Sequence, residues 1–360
     1  MLGEAVIQRC DIHGVSALLC QRLGAGNTWP REVLERLRSR AAEAAIWEAH
    51  HKEILERLLA ALATQNIEPI LLKGTALAYS CYKDPALRTR SDTDLLVPET
   101  ARADADAVLH ACGFQRGTEV SGDVISYQAG YRGNDHLGLA HAVDLHWRIN
   151  NSEVLSRLFS YAELRSRTIP LRRLGGAAVA TCPIDALMIA CMHREVHRQI
   201  PYWIDGVAYF VPDRFIWLYD IHLLSQSLEP DAWSEFAGRA REKGLAAICR
   251  DSLAQTVELL ETPLRPRFLG LFTPGRRSER PYVYLHASAL RRQYMDFSAL
   301  PDLSHKLKLL REMIFPPKEY MRARFDGVRP GWLPWLYARR AIQGGMRRLR
   351  GAWIIRSRWQ

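Results

Sequence analysis

The sequence predicts an α+β protein: a short mixed β-sheet, flanked by N-terminal helices and followed by a helical domain. Three observations predict it. Residues 31–64 carry apolar side chains at helical spacing over a length that strands do not reach. Between residues 66 and 150, short apolar or alternating runs take turns with helical ones. Beyond Asn150 the strongest periodic stretches, 183–199, 213–227 and 231–260, are all helical.

Each element has its own local reason. Ile12, Val15, Leu18, Leu19 and Leu23 form one helical stripe, which Gly24 and Gly26 end. The helix over 31–64 follows Pro30, whose missing N–H costs nothing in a first turn. Its expected apolar face holds Ile46, Ile54, Leu55, Leu58, Leu59 and Leu62. Glu68–Lys73 reads as a strand, Gly74 as a turn and Thr75–Tyr82 as a helix. A polar loop follows, and then Thr93–Val97 alternates as a strand does. Residues 100–112 form a helix closed by Gly113, and Ile125–Tyr131 and Ala142–Trp147 complete the strands. After the three helical stretches, Pro263, Pro266, Pro274 and Pro281 make 262–281 an irregular connection. Helical patterning returns at 303–314 and 333–357. The chain thus divides into an N-terminal helical segment (1–65), a core (66–150), a helical substrate-side domain (151–262), and a connection with a basic tail (263–360).

Composition narrows the class. With 48% apolar and 24% charged residues, the chain is neither disordered nor collagen-like. The net charge of +10 favours an anionic partner, but seven of those charges lie in 330–360 as Arg339, Arg340, Arg347, Arg348, Arg350, Arg356 and Arg358. That leaves +3 for residues 1–329, so attraction for an anion in the body must come from local groups. The tail's Trp335, Ala338, Ile342, Met346, Leu349 and Trp353 recur every three or four residues, which describes a basic amphipathic helix. Such a helix either packs on its own domain or touches an anionic surface. Seven scattered cysteines without a CxxC pair argue against a zinc ribbon, and for buried thiols in a reduced cytoplasm. No window approaches the ~18 apolar residues of a transmembrane segment. Glu4, Arg9 and Asp11 stand where a secretory signal would be apolar.

The chemistry concentrates in one region. Asp92 and Asp94 form a D-x-D pair on a strand, so both carboxylates point to one face. Two like charges that close call for a cation, and carboxylate oxygens suit Mg²⁺. Asp144, between Val143 and Leu145 in another strand, completes the cluster if the strands are neighbours ~4.8 Å apart. Upstream, LLKGTAL turns from strand to helix and presents backbone N–H groups to an anion. Gly74 lets a phosphate approach, Lys73, Thr75 and Ser91 add side-chain donors, and Arg88 and Arg90 are placed to grip phosphate oxygens bidentately. His146 shares the face of Asp144, either lining the site or making a structural hydrogen bond. His193 and His197, four apart in HREVH, share a helical face. Arg194 replaces the Glu a metalloprotease needs after the first His, so they form a packed pair or face the cleft and touch substrate. Asp220 reads as a polar contact within the helical domain.

A strand, a Gly turn into a helix, a D-x-D strand and a later single Asp resemble the DNA polymerase beta-like nucleotidyltransferase superfamily. More closely, LLKGTALAYSCYKDPALRTRSDTDLLVP, DLHWRIN, DRFIWLYDIHLL, and FPPKEYMRARF followed by LYARR resemble the uncharacterised nucleotidyltransferase family, over roughly 12–340. The sequence departs from the superfamily in having Gly74-Thr75 for Gly-Ser, and sixteen residues, 76 to 91, before Asp92. The resemblance implies that Asp92, Asp94 and Asp144 are catalytic ligands of two Mg²⁺ ions. It implies ATP or another nucleoside triphosphate as donor, bound by Lys73, Gly74, Thr75, Arg88, Arg90 and Ser91. A nucleoside monophosphate would pass to a hydroxyl of a small-molecule, peptide or protein acceptor, with His146, His193 and His197 near that substrate. Three readings compete: an antitoxin-like transferase that adenylates a protein, a non-catalytic nucleotide-binding module, and a nucleic-acid-binding protein. Loss of a carboxylate would mark the second, and all three carboxylates are present; a steep salt dependence of binding would mark the third.

Overall fold

The computed structural model describes residues 2–23, 28–118, 122–199, 202–204, 207–209, 213–272, 278–325, 333–340 and 342. Two short helices, α1 (Leu2–His13) and α2 (Ser16–Arg22), precede the 34-residue helix α3 (Arg31–Thr64). The stripe expected over 12–23 is therefore interrupted, because Gly14 takes φ +70, a conformation glycine adopts without steric cost. On α3, Leu55, Leu58, Leu59 and Leu62 are buried, whereas Ile46 is 55% exposed. Near its middle the buried face instead includes two polar residues, Glu48 and His51.

Seven strands form one mixed sheet: β1 (Ile70–Leu72), β2 (Asp92–Leu96), β3 (Gln115–Arg116), β4 (Gln128–Asn134), β5 (Ala140–His146), β6 (Thr168–Pro170) and β7 (Val179–Thr181). Their order is β3-β4-β5-β2-β1-β7-β6. β2 runs parallel to β5 and β1 to β7, and the remaining neighbours are antiparallel. The α+β class stands, with strand limits shifted from those expected by one to three residues at most ends. The sheet also extends beyond residue 150: β6 and β7 come from 168–181, where three-residue strands are too short to display a period.

Strand alternation gives the sheet two buried faces. Leu71, Leu95, Val97, Val143 and Leu145 face α3 and α5 (Arg102–Ala111), whose Ala105 and Leu109 complete that core. Ile70, Leu72 and Leu96 face the other way, into the core shared with the helical domain. α4 (Lys73–Ser80) follows β1 directly, and Gly113, at φ +88, closes the chain after α5 as expected.

The helical domain begins with α6 (Glu153–Ser156) and α7 (Tyr161–Arg165), and continues with α8 (Pro183–Gln199), α9 (Phe215–Ser227), α10 (Ala232–Glu242) and α11 (Ala246–Leu260). A hairpin of β8 (Tyr202–Ile204) and β9 (Val207–Tyr209) separates α8 from α9. The single helix expected over 231–260 is two, because Gly244 at φ +65 breaks it. Then follow α12 (Pro266–Gly270), α13 (Arg280–Leu285), α14 (Ala289–Ala299), α15 (Leu303–Ile314) and α16 (Lys318–Arg324), and residues 333–340 are helical. The expected basic tail helix lies, past 342, outside the described residues. Among the described residues, no helix is long and apolar enough to cross a membrane. All seven cysteines are free thiols: Cys10, Cys191 and Cys249 are buried, and Cys112 is exposed.

Candidate functional site

The turn out of β1 falls one residue earlier than the glycine suggests. β1 ends at Leu72, and Lys73 opens α4 with φ +49, an unusual value for a residue with a side chain. Gly74 is not in the left-handed region, and a Cβ there would meet Arg90 Cδ at an ordinary 3.5 Å. Backbone strain of this kind costs of order 1 kcal/mol or more and persists only where surroundings enforce it. Here the Lys73 ammonium is held at 2.5 Å from Asp94 Oδ1.

The parallel register of β2 and β5 sets Asp94 opposite Asp144 and Asp92 opposite Ala142. The carboxylates of Asp92 and Asp94 share the strand face of Asp144 and His146. His146 Nε2 lies 2.8 Å from Asp94 Oδ1, and Gln128 Nε2 on β4 donates to Asp144 Oδ2 at 3.2 Å. Oxygen and nitrogen atoms of Asp94, Asp144 and His146 all lie within 4.8 Å of one another. Burial by itself would raise the Asp94 carboxyl, but the Lys73 charge and the His146 hydrogen bond outweigh it and hold it well below the usual range. Asp92 is pushed up by burial and by the charge of Asp94, against the pull of Lys73, Arg88 and Arg90. Burial and the nearby Lys73 charge lower His146.

The two arginines before the D-x-D are engaged in buried ion pairs. Arg88 grips Asp220 of α9 bidentately, Nε to Oδ1 at 2.8 Å and Nη2 to Oδ2 at 2.7 Å, and Tyr82 donates to the same carboxylate at 2.6 Å. Arg90 pairs with Glu48 of α3 at 2.7 Å and donates through Nε to Thr75 Oγ1 at 2.9 Å. Thr75 is buried against Thr93, 2.8 Å between hydroxyls, and Ser91 is exposed beside Asp92. The loop between α4 and β2 is thus pinned to α3 on one side and to the helical domain on the other.

A cleft between α4 and the helical domain is lined by Lys73, Ser80, Arg88, His193, Trp217 and Asp220. His193 and His197 pack against each other with ring centroids 4.4 Å apart, and both contact the Trp217 ring. Burial first, then neighbouring positive charge, lowers both; His197 falls to about 4 and His193 lies well below its ordinary value. They are therefore neutral at pH 7.

The sequence singles out the carboxylates but not four groups packed around their strands: Glu48, His51, Thr93 and Gln128. The first two carried a signal. They interrupt the apolar stripe of a long helix, spaced seven and four residues ahead of Leu55. Thr93 is the x of D-x-D, so it necessarily faces away from the carboxylates, where His51 Nε2 meets its hydroxyl at 2.7 Å. Gln128 carried no local signal, since only the β4–β5 pairing brings it to Asp144.

A family model described as uncharacterised nucleotidyltransferase matches residues 3–261. No curated protein matches the chain.

Proposed function

The chain belongs to the uncharacterised nucleotidyltransferase family, and from that premise we propose that it moves a nucleoside monophosphate from ATP or another nucleoside triphosphate to a hydroxyl of a small-molecule, peptide or protein acceptor. The observation that carries the reading is the β2–β5 register, with Asp94 opposite Asp144 and Asp92 two residues away on the same face.

The residues fit a divalent metal. All three are hard oxygen donors of the kind Mg²⁺ takes. A cation, the Lys73 ammonium, already sits 2.5 Å from Asp94, and burial, then the charge of Asp94, raises the Asp92 carboxyl, whose ionised form further positive charge would favour. In this reading Asp92, Asp94 and Asp144 hold two Mg²⁺ ions, which when bound would neutralise triphosphate charge and make the acceptor hydroxyl more acidic.

The chain's own groups would do the rest. Lys73 exchanges Asp94 for a donor phosphate, and the backbone N–H groups of Gly74 and Thr75 at the start of α4 face the same anion. Arg88 and Arg90, anchored on Asp220 and Glu48, hold the loop that presents Ser91 to the donor. Asp144, oriented by Gln128, accepts the proton of the acceptor hydroxyl. His146 fixes the rotamer of Asp94, and neutral His193, with His197 packed against it, lines the acceptor side of the cleft. In-line attack on the α-phosphorus then releases pyrophosphate, with positioning and charge neutralisation supplying most of the rate.

The test is incorporation from α-labelled against γ-labelled ATP, with Mg²⁺ and candidate acceptors. Transfer of the α label supports the reading, and transfer of the γ label alone contradicts it. The Lys73–Asp94 ion pair also favours a second reading, a nucleotide-binding module whose metal position is filled by a lysine. That module would bind nucleotide and transfer neither label.

A further inference from the structure

A second constellation lies at the tip of the β4–β5 hairpin, where it meets α3. Asp135 directly follows β4, and its Oδ1 accepts from the backbone N–H of Leu137 at 2.9 Å and of Leu139 at 2.8 Å. That fixes the carboxylate and turns Oδ2 towards α3. Oδ2 lies 3.1 Å from His50 Nδ1 and 3.6 Å from His141 Nε2. The Asp135 side chain is 3% exposed and that of His141 0%, yet Asp135 Oδ2 and His141 Nε2 have no hydrogen-bond partner. His136, next along the hairpin, brings a ring nitrogen within 4.8 Å of the His50 and Asp135 ligand atoms.

We propose that His50, Asp135 and His136, with His141 as fourth ligand, form a zinc site distinct from the carboxylate cluster. Buried carboxylate oxygens and imidazole nitrogens are normally hydrogen-bonded, and leaving them unpaired is costly. Here the ring nitrogens of His50 and His141 both approach Asp135 Oδ2, and that of His136 lies within 4.8 Å of the His50 and Asp135 ligand atoms, so one cation beside Asp135 Oδ2 would give these groups a common partner. Four ligands at 2.0–2.1 Å around a tetrahedral zinc lie about 3.3 Å from one another. The two separations from Asp135 Oδ2, 3.1 Å to His50 and 3.6 Å to His141, straddle that length, and His136 within 4.8 Å would close in on a bound ion. Imidazole with one carboxylate selects zinc over magnesium.

The site would also set the hydrogen-bond direction beneath the carboxylates. His141 Nδ1 faces His51 Nδ1 at 3.0 Å, so one of the two carries a proton and the other accepts. A metal on His141 Nε2 leaves the proton on its Nδ1, which then donates to His51. His51 in turn carries its proton on Nε2 and donates to Thr93 Oγ1 at 2.7 Å. Thr93 can then donate to Thr75, which keeps its own proton for the Asp92 carbonyl at 3.4 Å. A zinc clamp between α3 and the hairpin thus orders every proton in a chain that ends on the D-x-D strand.

The experiment uses the full chain, stripped with chelator and titrated with Zn²⁺ against a chromophoric competitor. Three proteins are compared: wild type, His136→Gln, which changes an exposed side chain, and Asp92→Asn/Asp94→Asn. The expected result is one zinc per chain in wild type and in the double carboxylate variant, with affinity at least ~10-fold weaker in His136→Gln. Zinc should raise the melting temperature of wild type and not of His136→Gln, and Co²⁺ should give tetrahedral visible absorption in wild type. Equal zinc affinity in wild type and His136→Gln, or a site lost with the carboxylates, would overturn the proposal. Either result leaves label transfer from ATP as a separate question.

Discussion

At the scale of single residues, Lys73 joins backbone strain to charge. Its positive φ begins α4 while its ammonium pairs with Asp94, so one side chain balances the most crowded carboxylate. Lys73→Met keeps the apolar stem and removes the charge. The Asp94 carboxyl should then rise towards its ordinary value, and transfer should fall by at least about tenfold, mostly as a raised KM for nucleotide; steady-state kinetics read both. The histidines give a pH signature. His197 is held at about 4, against an ordinary value of 6.5, and His193 is depressed in the same sense. Unfolded, both bind protons below about pH 6.5; folded, they do so only at lower pH. Their contribution to stability is therefore complete above about pH 6.5 and is lost as the pH falls towards 4. For His197 the loss is at most roughly 3 kcal/mol, at about 1.4 kcal/mol per pH unit. Denaturation midpoints of wild type should drop between pH 7 and 5 more steeply than those of His197→Gln. Of this residue-level picture, Asp92, Asp94 and Asp144 were legible because strand alternation is a local rule. The partners of Arg88 and Arg90 were not, because Asp220 and Glu48 lie 132 and 42 positions away.

At the scale of elements, the loop from α4 to β2 is where the sheet and the helical domain are joined. Arg88 reaches from it to Asp220 on α9, and both side chains are under a tenth exposed. Removing one partner of such a pair typically costs 3–5 kcal/mol, because the other charge is left buried and unpaired. Arg88→Met should lose stability of that order in chemical denaturation. Arg88→Met/Asp220→Leu should recover much of it, and an unchanged midpoint in Arg88→Met would contradict the joint. The long elements were readable: α3, α8 and α15 begin and end where periodicity places them. The breaks at Gly14 and Gly244 were not, since a glycine inside a periodic run looks the same whether the helix continues or stops. Strands β6 and β7 escaped because three residues cannot show alternation.

At the scale of the whole molecule, the sheet is one layer between two cores, and neither core belongs to the 66–150 segment alone. Leu71, Leu95, Val143 and Leu145 need α3, and β1 needs β7 from beyond residue 150. A chain starting at residue 66 exposes that face and should lose its cooperative unfolding transition; a sharp calorimetric transition in that fragment would contradict this layering. Charge is likewise distributed by region. With seven of the ten net positive charges past residue 330, nucleotide affinity of the body rests on local groups beside the carboxylates. Affinity should therefore respond to Lys73 far more than to the tail arginines.

If the β2–β5 carboxylates carry out nucleotidyl transfer, removing the charge of one of them must stop it. Pyrophosphate release from ATP with Mg²⁺ and acceptor, measured in wild type and in Asp94→Asn with circular dichroism on both, decides this. The amide keeps the shape of the side chain and removes its charge. The expected result is pyrophosphate release in wild type and a loss of at least ~10³-fold in a folded Asp94→Asn protein. Release at wild-type rate in that variant would contradict it.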